Sequence, residues 1–182
     1  MKPFPTLETG RLLLRQFELT DAPVVHTLLA DPEVIGNMID QSPLDTLADA
    51  ETMIQQSHTR YAAGDNVVFA ITRKSDDGLV GYCDLELHSR HQRGKIVYWI
   101  GRPYWWQGYA TEAAKRVVRF GFDDLELNRI FAHVLSDNTA SASVLKKAGL
   151  QLEGTQRQAA QKDGAYVDVD FYGLLREDFN TE

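Results

Sequence analysis

The stretch Tyr104-Trp105-Trp106-Gln107-Gly108-Tyr109-Ala110-Thr111-Glu112-Ala113-Ala114 constrains this chain more than any other. It follows an apolar run, Ile96-Val97-Tyr98-Trp99-Ile100-Gly101, and leads into a helical pattern through Val117, Val118 and Phe122. Strand, tight turn and helix result, with small residues where the backbone curls. The first amides of a helix have no intrahelical partner, and the helix dipole adds partial positive charge there. Gly108 and Ala110 leave that backbone uncovered, so an anion such as a pyrophosphate can rest on the amides. A bare strand-to-helix turn has the same pattern. Two known glycine-rich cradles do not fit. The P-loop needs Lys-Ser or Lys-Thr after its second glycine, and the dinucleotide fingerprint needs three spaced glycines where only Gly108 is placed.

The 182 residues suit one domain over 1–182 with a sizeable core. With 19 basic and 26 acidic residues the net charge is −7, which argues against a nucleic-acid partner. Cys83, the single cysteine, has no internal disulfide partner and reads as a small buried hydrophobe. No apolar run is long enough to span a membrane, and Met1-Lys2-Pro3-Phe4-Pro5 does not open a signal peptide. The expectation is a cytoplasmic protein.

Taken in order, Arg11 to Arg15 predicts a strand, and Thr20 predicts the cap of a helix through Leu28 and Leu29. Asp31 to Gln41 predicts a loop. Ser42-Pro43 predicts the start of a second helix that ends at Gly64. Strands are predicted over 67–72, 79–87 and 96–100. The turn Ser75-Asp76-Asp77-Gly78 joins the first two, and a polar loop from His88 to Gly94 joins the next. The two histidines of that loop have no cysteine or carboxylate at ligand spacing and read as solvated. After the central turn come a helix to Asp123, a strand over 129–135, and a helix from Asn138 to Lys147 that stops at Gly149. A closing hairpin over 150–156 and 166–174 turns at Lys162-Asp163-Gly164.

The central stretch, Tyr104-Trp105 then Gln107-Gly108-Tyr109-Ala110-Thr111-Glu112-Ala113, resembles motif A of the GNAT N-acetyltransferase superfamily. More narrowly it resembles the RimJ/RimL branch of ribosomal-protein alanine N-acetyltransferases. Three further blocks agree, in family order: Leu7 to Arg15; Asp137-Asn138-Thr139-Ala140-Ser141 with Val144 to Leu150; and Asp163 to Asp168 with Tyr172 to Glu177. Trp105 stands where the wider superfamily usually has Gln or Arg, a feature the narrower branch shares. The resemblance implies an α+β GNAT fold: a mixed, mostly antiparallel sheet with flanking helices and central strands that splay apart around the pantetheine arm. It implies acetyl-CoA as co-substrate, no metal, direct transfer to an amine (a protein N-terminus or a small molecule), and compatibility with a homodimer. A non-catalytic acyl-CoA sensor or partner-binding module on the same fold is the alternative.

The resemblance also assigns sites. The backbone of Trp106, Gln107, Gly108, Tyr109, Ala110 and Thr111 would hold the pyrophosphate, and Trp99, Ile100 and Gly101 would pair with the pantetheine amides. A backbone N–H near Ile100 and Gly101 would stabilise the oxyanion. Asn138 would meet a pantetheine amide, act as a helix cap, or both. His133 falls where some relatives place a catalytic Glu, and it titrates near neutrality, so it is the leading base; a half-buried structural histidine is the equal alternative. Glu86 is a second candidate, otherwise a solvent-facing carboxylate. Glu112 complements the helix dipole. Many relatives place an acidic tyrosine where this chain has Leu145, so Ser141 becomes the proton donor or thiolate ligand, against a plain surface serine.

Overall fold

The structure is a computed structural model that describes residues 3–39 and 43–179. Among the described residues, eight strands form one sheet: β1 (Leu7–Glu8), β2 (Leu12–Gln16), β3 (Asn66–Arg73), β4 (Leu79–His88), β5 (Arg93–Ile100), β6 (Arg129–Leu135), β7 (Gln151–Lys162) and β8 (Ala165–Leu175). The helices are α1 (Ala22–Leu29), α2 (Pro32–Ile35), α3 (Leu47–Ala63), α4 (Tyr109–Asp123), α5 (Thr139–Lys147) and α6 (Arg176–Phe179). The strand order is β1-β2-β3-β4-β5-β6-β8-β7.

One pairing in the sheet positions everything else. β5 and β6 are its parallel pair, joined through α4, as a parallel connection requires a crossover. They pair only from Arg93 to Lys95 against Arg129 to Phe131 and then diverge. The expected splay is therefore present, between the second halves of β5 and β6.

Period-two alternation gives each sheet face its own layer. On one face Leu85, Ile96, Ile130 and Ala132 pack with Val117, Val118 and Leu145 of α4 and α5. On the other, Val68 and Trp99 pack with Val25 and Leu29 of α1 and Ile54 of α3. The splay opens between a donor-side layer of α4 and α5 and a second layer of α1 and α3.

Local chemistry moves several predicted boundaries. The second helix begins at Leu47 rather than Pro43, because Thr46 accepts from the Asp49 amide while the Asp49 carboxylate accepts from the Thr46 amide. Ser42 lies outside the described residues. Thr20 is not a cap: a similar reciprocal pair, Glu18 and Asp21, starts a single 3-10 turn ahead of α1. The expected loop after Asp31 holds α2, whose start is capped by Asp31 Oδ1 accepting from the Glu33 amide at 2.9 Å. The closing hairpin is longer than predicted on both strands, with register shifts in β7.

Candidate active site

The central turn has the geometry of an anion cradle. Trp106 (φ +62°) and Gly108 (φ +80°) are both left-handed, which turns successive N–H groups to one side. Gly108 needs its missing side chain there, because an L-residue is strained at that φ. The first intrahelical bond runs from the Glu112 amide to the Gly108 carbonyl at 3.0 Å, so the amides of Tyr109, Ala110 and Thr111 lie ahead of the helical ladder. The Trp106 side chain is 88% exposed and does not cover them.

A clasp from the chain's opening segment fixes this turn. Glu112 Oε1 accepts from Thr9 Oγ1 at 2.6 Å and from the Arg11 amide at 2.9 Å. Glu112 Oε2 accepts from Arg11 Nε at 2.7 Å, and Arg11 Nη1 donates to the Gln107 carbonyl at 2.9 Å. The Arg11 guanidinium also covers the Tyr109 ring at 4.7 Å. Burial alone would raise the Glu112 carboxyl, but the hydrogen bonds from Thr9 and Arg11 outweigh it and hold it below the usual range. Glu112 thus stands in the first turn of α4, as expected of a group that complements the helix dipole, and it also ties that turn to the opening segment.

Along the splay, the Gly101 amide donates to the Val80 carbonyl at 2.8 Å. Amides in a strand alternate sides, so Trp99 and Gly101 face β4, while Tyr98 and Ile100 face the open edge. The expectation for Trp99 and Gly101 is therefore corrected, while Ile100 keeps the open-edge position expected of it. The Gly101 amide is committed within the sheet, and the backbone edge free to meet a ligand belongs to Tyr98 and Ile100. The Ile100 carbonyl already accepts from the Trp105 indole at 2.6 Å, leaving its amide.

Asn138 is the cap of α5: its Oδ1 accepts from the Ser141 amide at 2.9 Å, and its Nδ2 donates to the Asn37 carbonyl at 3.2 Å. Ser141 is not a plain surface serine. Its Oγ donates to the Tyr98 hydroxyl at 3.1 Å, and that hydroxyl donates to the Ser141 carbonyl at 3.1 Å. The contact bridges the splay from β5 to α5. Burial pushes the Tyr98 phenol up, against the lowering effect of the Ser141 hydrogen bond, so it keeps its proton. Leu145 is fully buried and contributes no polar group.

On the opposite sheet face, Asp84 is the group that sequence reasoning missed. It is 5% exposed, and its Oδ2 accepts from Asn66 Nδ2 at 2.7 Å. Burial, only partly offset by Asn66, pushes its carboxyl up to about 7. Among the described residues, three buried side-chain polar atoms lack a hydrogen-bond partner, and two of them, Asp84 Oδ1 and Trp99 Nε1, belong to residues in the wall of one cavity of about 340 Å³. The cavity lies between α1 and α3 and strands β3 to β5; Arg60, Met53 and Tyr82 are also in its wall. Asp84 is paired with Val97, one strand in from the open edge of β5, and Trp99 is on β5 itself. Cavity and splay thus share a strand.

His133 lies on the same face, half-buried between Phe131 and Phe171, whose ring centroids are 5.4 and 4.2 Å away. Burial, then the charge of Lys95, lowers it below its ordinary value, leaving it neutral at pH 7. It does not line the cavity. Glu86 is 3.6 Å from Lys95 in a cross-strand ion pair. Among the described residues, no group of three or more His, Cys, Asp or Glu is placed to hold a metal ion, and no helix is long and apolar enough to cross a membrane.

Residues 11–151 match the Acetyltransferase (GNAT) domain family. The uncharacterised N-acetyltransferase p20 of Bacillus licheniformis is 35% identical over 175 residues, covering 96% of this chain and 98% of p20. A GNAT-family acetyltransferase structure from Bacillus anthracis superposes with a TM-score of 0.84 at 25% identity, over 95% of this chain and 99% of that one. RimL, the ribosomal L7/L12 α-N-protein acetyltransferase solved with coenzyme A, has the same fold, with a TM-score of 0.86 at 19% identity over 94% of this chain and 98% of its own. The cradle, the splay and the sheet order therefore stand among relatives of one kind: this chain belongs to the GNAT acetyltransferase family, as an acetyl-CoA-dependent N-acetyltransferase resembling the RimJ/RimL branch.

Proposed function

We propose that the acceptor amine enters through the α1–α3 face and meets the thioester in the splay, with Asp84 taking its proton. The supporting observation is the buried carboxylate itself. It belongs to a residue of the cavity wall, with one oxygen held by Asn66 and the other without a protein hydrogen-bond partner among the described residues. A carboxyl poised near 7 is matched to removing a proton from an ammonium at neutral pH, directly or through one water.

The donor lies on the other side. The amides of Tyr109, Ala110 and Thr111 hold the pyrophosphate, and the open edge of β5 at Tyr98 and Ile100 pairs with the pantetheine arm as an added strand. The neutral amine attacks the thioester carbon from the acceptor face. The carbonyl oxygen gains the electron pair and is stabilised by the Ile100 amide. The tetrahedral adduct passes its second amine proton through water to Ser141 Oγ as Ser141 gives its own proton to the departing sulfur, so that the C–S bond breaks, coenzyme A leaves as the thiol and the serine is restored. Tyr98 positions Ser141. Its hydroxyl lies 3.1 Å from both the carbonyl and Oγ of that serine, so it can donate to Oγ as Ser141 turns to the sulfur. In this arrangement His133 is a flanking neutral group, and Asp84 is the base. Holding both reactants at the splay supplies much of the rate.

The test is acetylation kinetics of Asp84→Asn and His133→Ala beside the parent. Asp84→Asn should lose about 100-fold or more in kcat, the contribution typical of general base catalysis. A variant with full activity would remove Asp84 from the mechanism, and a comparable loss only in His133→Ala would return the base to His133.

A further inference from the structure

The two orphaned atoms in the wall residues of the acceptor cavity are of opposite kinds. Asp84 Oδ1 is a hydrogen-bond acceptor and Trp99 Nε1 is a donor, and both residues are at least nine-tenths buried. Tyr82 pairs with Trp99 and Asp84 with Val97, so Asp84 and Trp99 are diagonal neighbours on one sheet face, roughly 7 Å apart. Buried groups of this sort carry a substantial penalty unless something completes them. A bare alkylamine completes only the first. A ligand that satisfies both must present a donor and, close to it, an acceptor.

A third group sets the charge. Arg60 lines the same cavity from α3, makes no ion pair recorded among the described residues, and its positive charge reaches Asp84. The other ionic wall residue, Asp49, is directed to the Thr46 amide and hydroxyl at 2.8 Å each. The rest of the wall is mixed: Leu29, Leu44, Met53 and Val68 form an apolar part, Tyr82 and Gln56 add polar groups, and the Thr52 and Ser57 hydroxyls donate to carbonyls of their own helix. At about 340 Å³ the cavity lies at the small end of the ~300–1,000 Å³ range of ligand pockets.

We infer that the acceptor is a free α-amino acid with an apolar side chain: its ammonium on Asp84, its carboxylate on Trp99 Nε1–H and facing Arg60, and its side chain against Leu29, Met53 and Val68. This rests on the acceptor cavity proposed above. The carboxylate separates a free amino acid from a polypeptide N-terminus, which offers a neutral carbonyl in the same place, and from a polyamine, which would bring a second cation towards Arg60.

A graded acceptor series tests this without altering the protein: L-leucine, L-leucinamide and 3-methylbutylamine, with spermidine and a leucine-initiated peptide alongside. Thermal shift with acetyl-CoA first establishes that the donor site is intact. The amide keeps an acceptor for Trp99 but loses the charge, and the alkylamine loses both. The expected kcat/KM order is acid, amide, alkylamine, with a fall of about 10- to 100-fold at each step, the range for hydrogen bonds involving charged groups. In Arg60→Gln, an exposed-residue change that spares the core, the acid-to-amide ratio should fall towards one. Equal or better turnover of the amide, the peptide, the alkylamine or spermidine would overturn the amino-acid assignment, as would no turnover of leucine. Asp84→Asn separates the two levels. If it abolishes turnover of whichever acceptor works while the acid-to-amide ratio is one, only the carboxylate inference fails. If it leaves turnover unchanged, the cavity is not the acceptor site.

Discussion

The Tyr98 hydroxyl and Ser141 Oγ lie 3.1 Å apart across the splay, one on β5 and the other on the helix that follows β6. Elsewhere in this superfamily the corresponding helix often supplies its own tyrosine; here Leu145 is buried in the core and the phenol comes from the facing strand. Ser141→Ala and Tyr98→Phe should each lower kcat by about 10- to 100-fold while leaving the KM for acetyl-CoA nearly unchanged. The double variant should be little worse than the worse single, because the two hydroxyls act as a unit. Losses that simply multiply would show that Tyr98 acts independently of Ser141.

As the proposed base, Asp84 should give the activity a pH limb. In the free enzyme, kcat/KM for the acceptor should rise with pH and level off above about 7, as the carboxyl ionises. A full pH profile of the parent, compared with residual activity of Asp84→Asn, checks the assignment. The variant should lack that limb.

The same carboxyl makes stability fall where activity rises. Its ordinary value is 3.8 and its folded value about 7, so between those points the folded chain holds more protons than the unfolded one. Unfolding free energy therefore decreases as pH rises through this window, and above it the ionised, buried Asp84 costs the fold on the order of 4 kcal/mol. Thermal melts of Asp84→Asn should exceed the parent's at pH 8 and converge with them near pH 4. A stability gain bought with lost activity is common for active-site groups.

The Glu112 clasp should govern donor affinity. Glu112→Ala removes acceptors from Thr9, the Arg11 amide and the Arg11 guanidinium together. The turn then loses its tie to the opening segment, and kcat/KM for acetyl-CoA should fall by up to about 100-fold, the scale of a misplacement near 1 Å. Calorimetric titration with coenzyme A would show the loss directly, with acceptor binding unaffected.

At Gly108 the prediction is a lost ligand response. Acetyl-CoA should raise the melting temperature of the parent as its concentration increases. Gly108→Trp places a side chain on a left-handed residue, at a strain of about 1–2 kcal/mol, and covers the cradle. The variant should melt somewhat lower and show no shift with the ligand.

Much of this site is legible in the chain itself, because its donor half is local. Gly108, the amides after it and the Asn138 cap all follow from neighbours in sequence. The acceptor half is not local. Asp84 sits in an alternating strand where it reads like its neighbour Glu86, and only the packing of α3 over β3 to β5 buries one and leaves the other paired with Lys95. Its partner Asn66 is a strand away. Trp99 was expected to contribute backbone, whereas its amide faces β4 and its indole lines the cavity. Ser42-Pro43 imitates a helix start in sequence, while the reciprocal Thr46 and Asp49 bonds set the start of α3. Tyr98 is not legible in the sequence because its partner is 43 residues on and on another element.

The separation of the two helical layers by the sheet has a kinetic consequence. In the proposed arrangement donor and acceptor reach the same gap between β5 and β6 from opposite faces, so neither has to leave for the other to enter. Initial-rate patterns should be those of random addition, with coenzyme A competing against acetyl-CoA and not against the amine. The same separation makes the two specificities independently variable. In that arrangement substitutions in α1 and α3 should change acceptor preference without altering acetyl-CoA affinity at the turn before α4.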